Sequence, residues 1–248
     1  MSGSSVVLSV NAVSVRFGGL LALDQVSLQF ASAQLCAVIG PNGAGKTTLF
    51  HALCRQLPVA SGTMHCQGQS LLPLQPHEVA ALGLARTHQH AAVFPSLSVG
   101  QHVLLGREAL RHRPEVVEAQ AWQANVVEGL ALAPHWHQPV GELPLSLQRR
   151  VELAKALVSQ PRVLLLDEPA AGQTHDEWQA CAQLLRQLLA QVGTSVLLVE
   201  HRLAWVWPLA DRCVVLDQGR VIADGSPDAV RADERVIQAY LGAQHVGA

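Results

Sequence analysis

The 248-residue chain carries a formal charge of −2 with 49% hydrophobic residues, enough for one large core or two small ones and too little positive charge for an electrostatic grip on nucleic acid. Its five cysteines (Cys36, Cys54, Cys66, Cys181, Cys213) are odd in number and scattered, with no C-x-x-C pair, which points to reduced core thiols rather than a disulfide or zinc framework. No apolar run reaches the roughly 18 residues that cross a bilayer, and the N-terminal stretch lacks the basic start, apolar middle and cleavage site of a signal peptide.

Residues 5–33 read as a β-rich lobe of short strands, broken at Gly18-Gly19 and at the polar turn Ala31-Ser32-Ala33. Phe17 lies in this lobe, 29 residues before Lys46, with an aromatic face that suits a purine ring, although a lone Phe in such a strand is more often core. Gln34 to Ile39 then reads as a buried strand and Thr47 to Arg55 as a helix, and between them stands Gly40-Pro41-Asn42-Gly43-Ala44-Gly45-Lys46-Thr47. This is the phosphate-binding P-loop pattern, and Lys46 is one of only two lysines in the chain. Backbone N–H groups freed by the glycines and the start of the helix suit phosphates, Lys46 suits the β/γ-phosphates, and the Thr47 hydroxyl, followed by Thr48, suits Mg²⁺. The implied ligand is a nucleoside triphosphate.

Gln89 follows at the junction with a helical stretch, where an uncharged amide can bind Mg²⁺ or water and register the γ-phosphate. From 91 to 158 the pattern is helical, with Pro114, Pro134, Pro139 and Pro144 as breaks. His88 with His90, and His135 with His137, alternate as on one strand face, but neither pair has a third ligand at metal-binding spacing. Arg149 and Arg150 read as a solvated helix face. Strands return at Val163–Leu166 and Ser195–Val199 around a helix from His175 to Gln191, which is βαβ logic and implies a parallel sheet. The first ends in Asp167-Glu168-Pro169: Asp167 suits Mg²⁺, and Glu168 is placed to orient or deprotonate an attacking water. The second delivers His201, able to donate to a γ-phosphate, followed by Trp205 and Trp207 as packing residues. A hairpin around Asp217-Gln218-Gly219 and two short helices over 225–248 close the chain. The whole is expected to be one α/β domain: a P-loop NTPase (RecA-like) core with a parallel sheet at 34–90 and 159–224, an N-terminal antiparallel β lobe, an inserted helical lobe and a helical tail.

The order of P-loop, glutamine, Asp-Glu strand and histidine resembles an ABC-transporter ATP-binding subunit over essentially the whole chain. The nearest type is that of branched-chain amino acid transport. The segments Arg16-Phe17-Gly18-Gly19-Leu20-Leu21-Ala22-Leu23, Ala85-Arg86-Thr87-His88-Gln89, Asp167-Glu168-Pro169-Ala170-Ala171-Gly172, Glu200-His201 and Val236-Ile237-Gln238-Ala239-Tyr240-Leu241-Gly242 carry that resemblance. It implies ATP and Mg²⁺ as cofactors, with Lys46 and Thr47 on phosphate and metal, Phe17 on adenine, Gln89 linking the γ-phosphate to the membrane partner, Glu168 as catalytic base and His201 as switch. It further implies permease subunits, a second ATP-binding subunit, an indirect solute-binding protein, and a place on the cytoplasmic face of the membrane.

The chain departs from the family where such subunits present their signature, usually Leu-Ser-Gly-Gly-Gln, to a partner's nucleotide. Here Leu143-Pro144-Leu145-Ser146-Leu147 stands instead. Ser146 brings a Cβ and a hydroxyl where glycine lets backbone approach phosphate, and Leu147 removes a side-chain amide. Gln173-Thr174-His175 also departs from the usual loop after the Asp-Glu strand, and His88 replaces an aromatic. These changes cluster in what the chain would give its partner, so an asymmetric heterodimer is expected. The rivals are a poorly hydrolytic ATP-binding regulatory partner and a soluble ABC ATPase unconnected with transport.

Overall fold

The computed structural model describes residues 6–87, 92–108, 119–171 and 173–244. They fall into two compact units, one of residues 1–79 and 195–248 and the other of 80–194.

In the first unit, β1 (Val6–Phe17) and β2 (Leu20–Ala31) form a long antiparallel hairpin, turning at Gly18-Gly19. Alternation along both strands sends Leu8, Val10, Leu23, Leu28 and Phe30 into the core. With β4 (Ser61–Cys66) and β5 (Gln69–Ser70) the hairpin makes a four-stranded sheet in the order β2-β1-β4-β5. β3 (Leu35–Ile39) is buried at every position and feeds α1 (Lys46–Leu53). It lies parallel to both β8 (Ser195–Val199) and β9 (Arg212–Asp217), and burial on both faces is what a near-continuous apolar run requires. β10 (Arg220–Gly225) returns antiparallel on β9. The short α7 (Leu203–Val206) follows β8, and α8 (Pro227–Arg231) and α9 (Glu234–Gln244) end the unit. A short helix, α2 (Pro76–Ala81), straddles the boundary between the units.

The second unit pairs β6 (Leu84–Arg86) in parallel with the wholly buried β7 (Val163–Asp167). Between them in sequence lie α3 (Val99–Arg107), α4 (Ala119–Gly129) and α5 (Leu145–Leu157). Ser98 caps α3 through a box with Gln101, satisfying two orphan donors reciprocally. Trp122 on α4 is buried and donates its indole N–H to the Leu157 carbonyl at 2.8 Å, fixing α4 on α5. α6 (His175–Val192) starts on a second capping box, Thr174 with Glu177, and stops at Gly193 in the left-handed region.

The expected β lobe, P-loop strand, helical insert, long helix, hairpin and helical tail are all present. His135 is a correction: it closes a 3₁₀ turn (Ala133–His135) rather than lying on a strand, and its Nδ1 pairs with Gln138 Oε1 at 2.8 Å. Pro134 inside that turn is incompatible with a strand ladder.

Candidate functional site

In the first unit the P-loop is shaped by its glycines and by the hairpin behind it. Gly40 adopts φ +149°, and a Cβ there would lie 2.0 Å from the Leu216 carbonyl oxygen of β9. The β9–β10 turn then buttresses the loop, the Gly219 N–H donating to the Ala44 carbonyl at 3.0 Å and its carbonyl accepting from Asp24 N–H at 2.9 Å. Lys46 is only 5% exposed, and its Nζ donates to the carbonyls of Gly40 and Pro41, both at 2.9 Å. The ammonium is thus pre-positioned by acceptors on its own loop. Asn42, Gly43 and Thr47 are exposed, Pro41, Gly45 and Thr48 half-buried, and Ala44 buried. Gly43, at φ +77°, has no heavy atom within 4 Å of where a Cβ would stand, so that side of the loop is open. No side chain caps α1, so no side-chain acceptor at its start competes with an anion for the first N–H groups.

The parallel register sets Val38 opposite Val199 and Ile39 opposite Val215. Gly40 and His201 therefore each lie two residues beyond the Val38–Val199 pair, at the same carboxyl edge. His201 is exposed and its N–H donates to the buried Glu200 carboxylate at 3.2 Å. Phe17 is 47% exposed, so it is not a core residue and its ring is available to a ligand. The Tyr240 hydroxyl, on α9, is buried beside the Gly40 backbone without a well-formed hydrogen bond, and burial pushes the phenol up to about 12.

In the second unit, β7 delivers Asp167 at 2% exposure and Glu168 half-buried. Glu168 has φ +48°, a left-handed conformation that costs a non-glycine residue about 1–3 kcal/mol. Arg86 donates from Nη2 to Asp167 Oδ2 at 2.6 Å, with both side chains nearly inaccessible. Glu168 also lines a cavity of about 30 Å³ with Arg149, Arg150, Gln173 and Cys181, large enough for water and far too small for a nucleotide. Arg149 is not the solvated residue its sequence suggested: its Nε is buried and its Nη1 donates to the Pro169 carbonyl at 3.4 Å. Gln173 reaches the same carbonyl through Nε2 at 3.1 Å. The unusual Gln173-Thr174 pair therefore has local work, one residue bracing Pro169 and the next capping α6. Ser146, half-buried, sits in the first turn of α5, whose start at Pro144 has no side-chain cap.

Gln89, His88 and His90 lie outside the described residues. Sequence reasoning assigned no individual role to Arg86, which it met only within the segment Ala85-Arg86-Thr87-His88-Gln89, or to the β9–β10 turn. In the first unit, backbone amides and an ammonium around an open loop with an exposed Thr47 hydroxyl suit a triphosphate; in the second, the carboxylate oxygens of Asp167 are the hard donors that Mg²⁺ takes.

A glycine-rich loop that joins a buried parallel strand to a helix around a buried lysine defines a P-loop nucleotide-binding protein. The chain belongs to the ABC transporter family, whose profile matches residues 23–171, and it is an ATPase of that family; a second profile, branched-chain amino acid ATP-binding cassette transporter, matches residues 220–246. The high-affinity branched-chain amino acid transport ATP-binding protein LivG of Escherichia coli K12 is 35% identical over 96% of this chain and 99% of its own. BraF of Pseudomonas aeruginosa, of the same description, is 34% identical over 95% and 98%. Among solved structures, a nucleotide-free ATP-binding cassette from an ABC transporter matches with TM-score 0.84 and 26% identity, covering 95% of this chain and 99% of that one. The ADP conformation of the cassette MJ1267 matches equally well, covering 96% and 100%. No helix among the described residues is long and apolar enough to cross a membrane.

Proposed function

We propose that this chain is the ATP-hydrolysing subunit of an ABC importer for branched-chain or related amino acids or amides, working as a nucleotide-sandwich dimer. The observation that carries the ATP reading is Lys46, buried and held by the carbonyls of Gly40 and Pro41. The solute class is that of LivG and BraF, both high-affinity branched-chain amino acid transport ATP-binding proteins.

Lys46 exchanges its two carbonyl acceptors for β/γ-phosphate oxygens, and the amides from Gly43 to Thr48 complete the cradle. Phe17 stacks on adenine. Thr47, Asp167 and Gln89 are the candidates to hold Mg²⁺, which supplies charge neutralisation for the phosphates. Glu168 orients the attacking water and takes its proton, while His201 donates to the γ-phosphate. The uncapped start of α5, at Ser146, is what the chain offers to the nucleotide of a second subunit in a head-to-tail sandwich. Permease subunits and, through them, a solute-binding protein complete the assembly on the cytoplasmic face of the membrane.

A second reading is favoured by Ser146 and Leu147: a heterodimer in which this chain binds ATP but gives its partner a weakened signature. The test is ATP hydrolysis by the purified chain beside Glu168→Gln, with light scattering in ATP and Mg²⁺. Turnover abolished by the substitution, together with ATP-driven homodimers, supports the first reading. Tight ATP binding with neither supports the heterodimer, and a Ser146→Gly, Leu147→Gln variant that then hydrolyses no faster would sink it. Absence of ATP binding would overturn both.

A further inference from the structure

Arg86 is the cation the first reading left without a role, and it sits on the carboxylate assigned to the metal. Asp167 is 2% exposed, and a carboxylate so far from water needs a counter-charge close by. Arg86 supplies it at 2.6 Å from β6, the parallel neighbour of β7, with Arg86 registered opposite Leu165. Two further bonds stitch the same strand ends: Thr87 N–H donates to the Leu165 carbonyl at 2.9 Å, and Asp167 N–H donates to Thr87 Oγ1 at 3.4 Å. The chain beyond Thr87 leads directly to Gln89.

We propose that Arg86 is a positioning residue that stands in for the metal, holding Asp167 in place until Mg²⁺ arrives with nucleotide and then yielding that carboxylate. This rests on the ATP reading given above. The chemistry is competition: a hard divalent cation and a guanidinium seek the same buried carboxylate, and like charges that close repel in a medium of low dielectric. Metal loading therefore weakens the Arg86–Asp167 pair and loosens the end of β6. Arg86 itself touches neither phosphate nor metal in this scheme.

The test loads the full chain with a non-hydrolysable ATP analogue and titrates Mn²⁺, reading free metal by electron paramagnetic resonance. Arg86→Gln removes the competitor, so half-saturation should fall by at least about tenfold, the order expected for losing one nearby like charge; Arg86→Lys keeps a cation and should stay near the parent value. A merely structural role for Arg86 would weaken metal binding on substitution, the opposite sign. Unchanged or weaker Mn²⁺ binding in Arg86→Gln, with analogue affinity intact, overturns the inference alone. A parent chain that binds neither analogue nor metal overturns the ATP reading and the inference with it. Should Arg86→Gln fail to fold, amide exchange of the parent decides: residues 84–87 should exchange faster with analogue and Mg²⁺ than with analogue and EDTA, and equal rates refute the proposal.

Discussion

Alanine placed at either of two P-loop glycines separates packing from ligand access. At Gly40 the added Cβ would stand 2.0 Å from the Leu216 carbonyl oxygen, against an ordinary contact of at least 3.4 Å. Some group must therefore move by about 1.4 Å. The oxygen has little freedom to do so, because Leu216 is fully buried and paired with Val221 across the β9–β10 hairpin. Overpacking of this kind costs about 1–3 kcal/mol, and a left-handed φ on a residue with a Cβ costs about 1–3 kcal/mol more. Gly40→Ala should thus lose about 4 kcal/mol, or roughly 10 °C in Tm for a chain of this length. At Gly43 the same Cβ meets nothing within 4 Å, so only the conformational term of about 1–2 kcal/mol remains. That methyl occupies the open side of the loop, where a phosphate would approach, so Gly43→Ala should weaken ATP binding by about tenfold or more through a lost charge-assisted backbone contact. Thermal melts and fluorescent-nucleotide titration of both variants check the pair. Equal losses of stability at the two positions would refute the packing argument, and undiminished nucleotide binding by Gly43→Ala would refute the cradle.

His102 is fully buried, its Nδ1–H donating to the Ser98 carbonyl at 3.0 Å and its Nε2 accepting from Phe94 N–H at 2.9 Å, which fixes the neutral tautomer. Burial holds its pKa below the ordinary 6.5, with Lys155 adding to the effect against the Ser98 carbonyl. The unfolded chain then binds more protons, so this stability is fully present above about pH 6.5 and is lost as pH falls through the folded pKa. Urea midpoints should drop between pH 7.5 and 5.5 more steeply for the parent than for His102→Gln; equal slopes would clear His102 of the effect. All five cysteines are buried, and burial pushes both Cys36 and Cys213 up to about 12, so at pH 8 a thiol reagent should label none of the native chain and all five in denaturant. Labelling of the native chain at either residue would contradict its packing. Deleting the buried hydroxyl in Tyr240→Phe should change stability by less than about 1 kcal/mol, because no well-formed hydrogen bond is lost. Tyr240→Ala should cost about 3 kcal/mol or more. A large loss in the Phe variant, read by urea melts, would mean that the hydroxyl does bond the Gly40 backbone.

The linear sequence determined the parts of the site that are written locally. The glycine spacing from Gly40 to Gly45 specifies a strand-to-helix turn because only particular backbone angles join the two, and those angles exclude most side chains. Asp167 and Glu168 were legible because an apolar strand can end in carboxylates only at its edge. Thr174 was visible as an anomaly, but its role as a cap needed the observed bond to Glu177 N–H. Tertiary structure alone decided the rest. Arg86 and Asp167 stand 81 residues apart in sequence, and Gly40 meets Leu216 across a parallel pairing. Arg149 turned out to brace Pro169 rather than face solvent. Such contacts depend on register between strands distant along the chain. A short segment carries its own backbone preferences but no record of the partner that the folded sheet will set beside it.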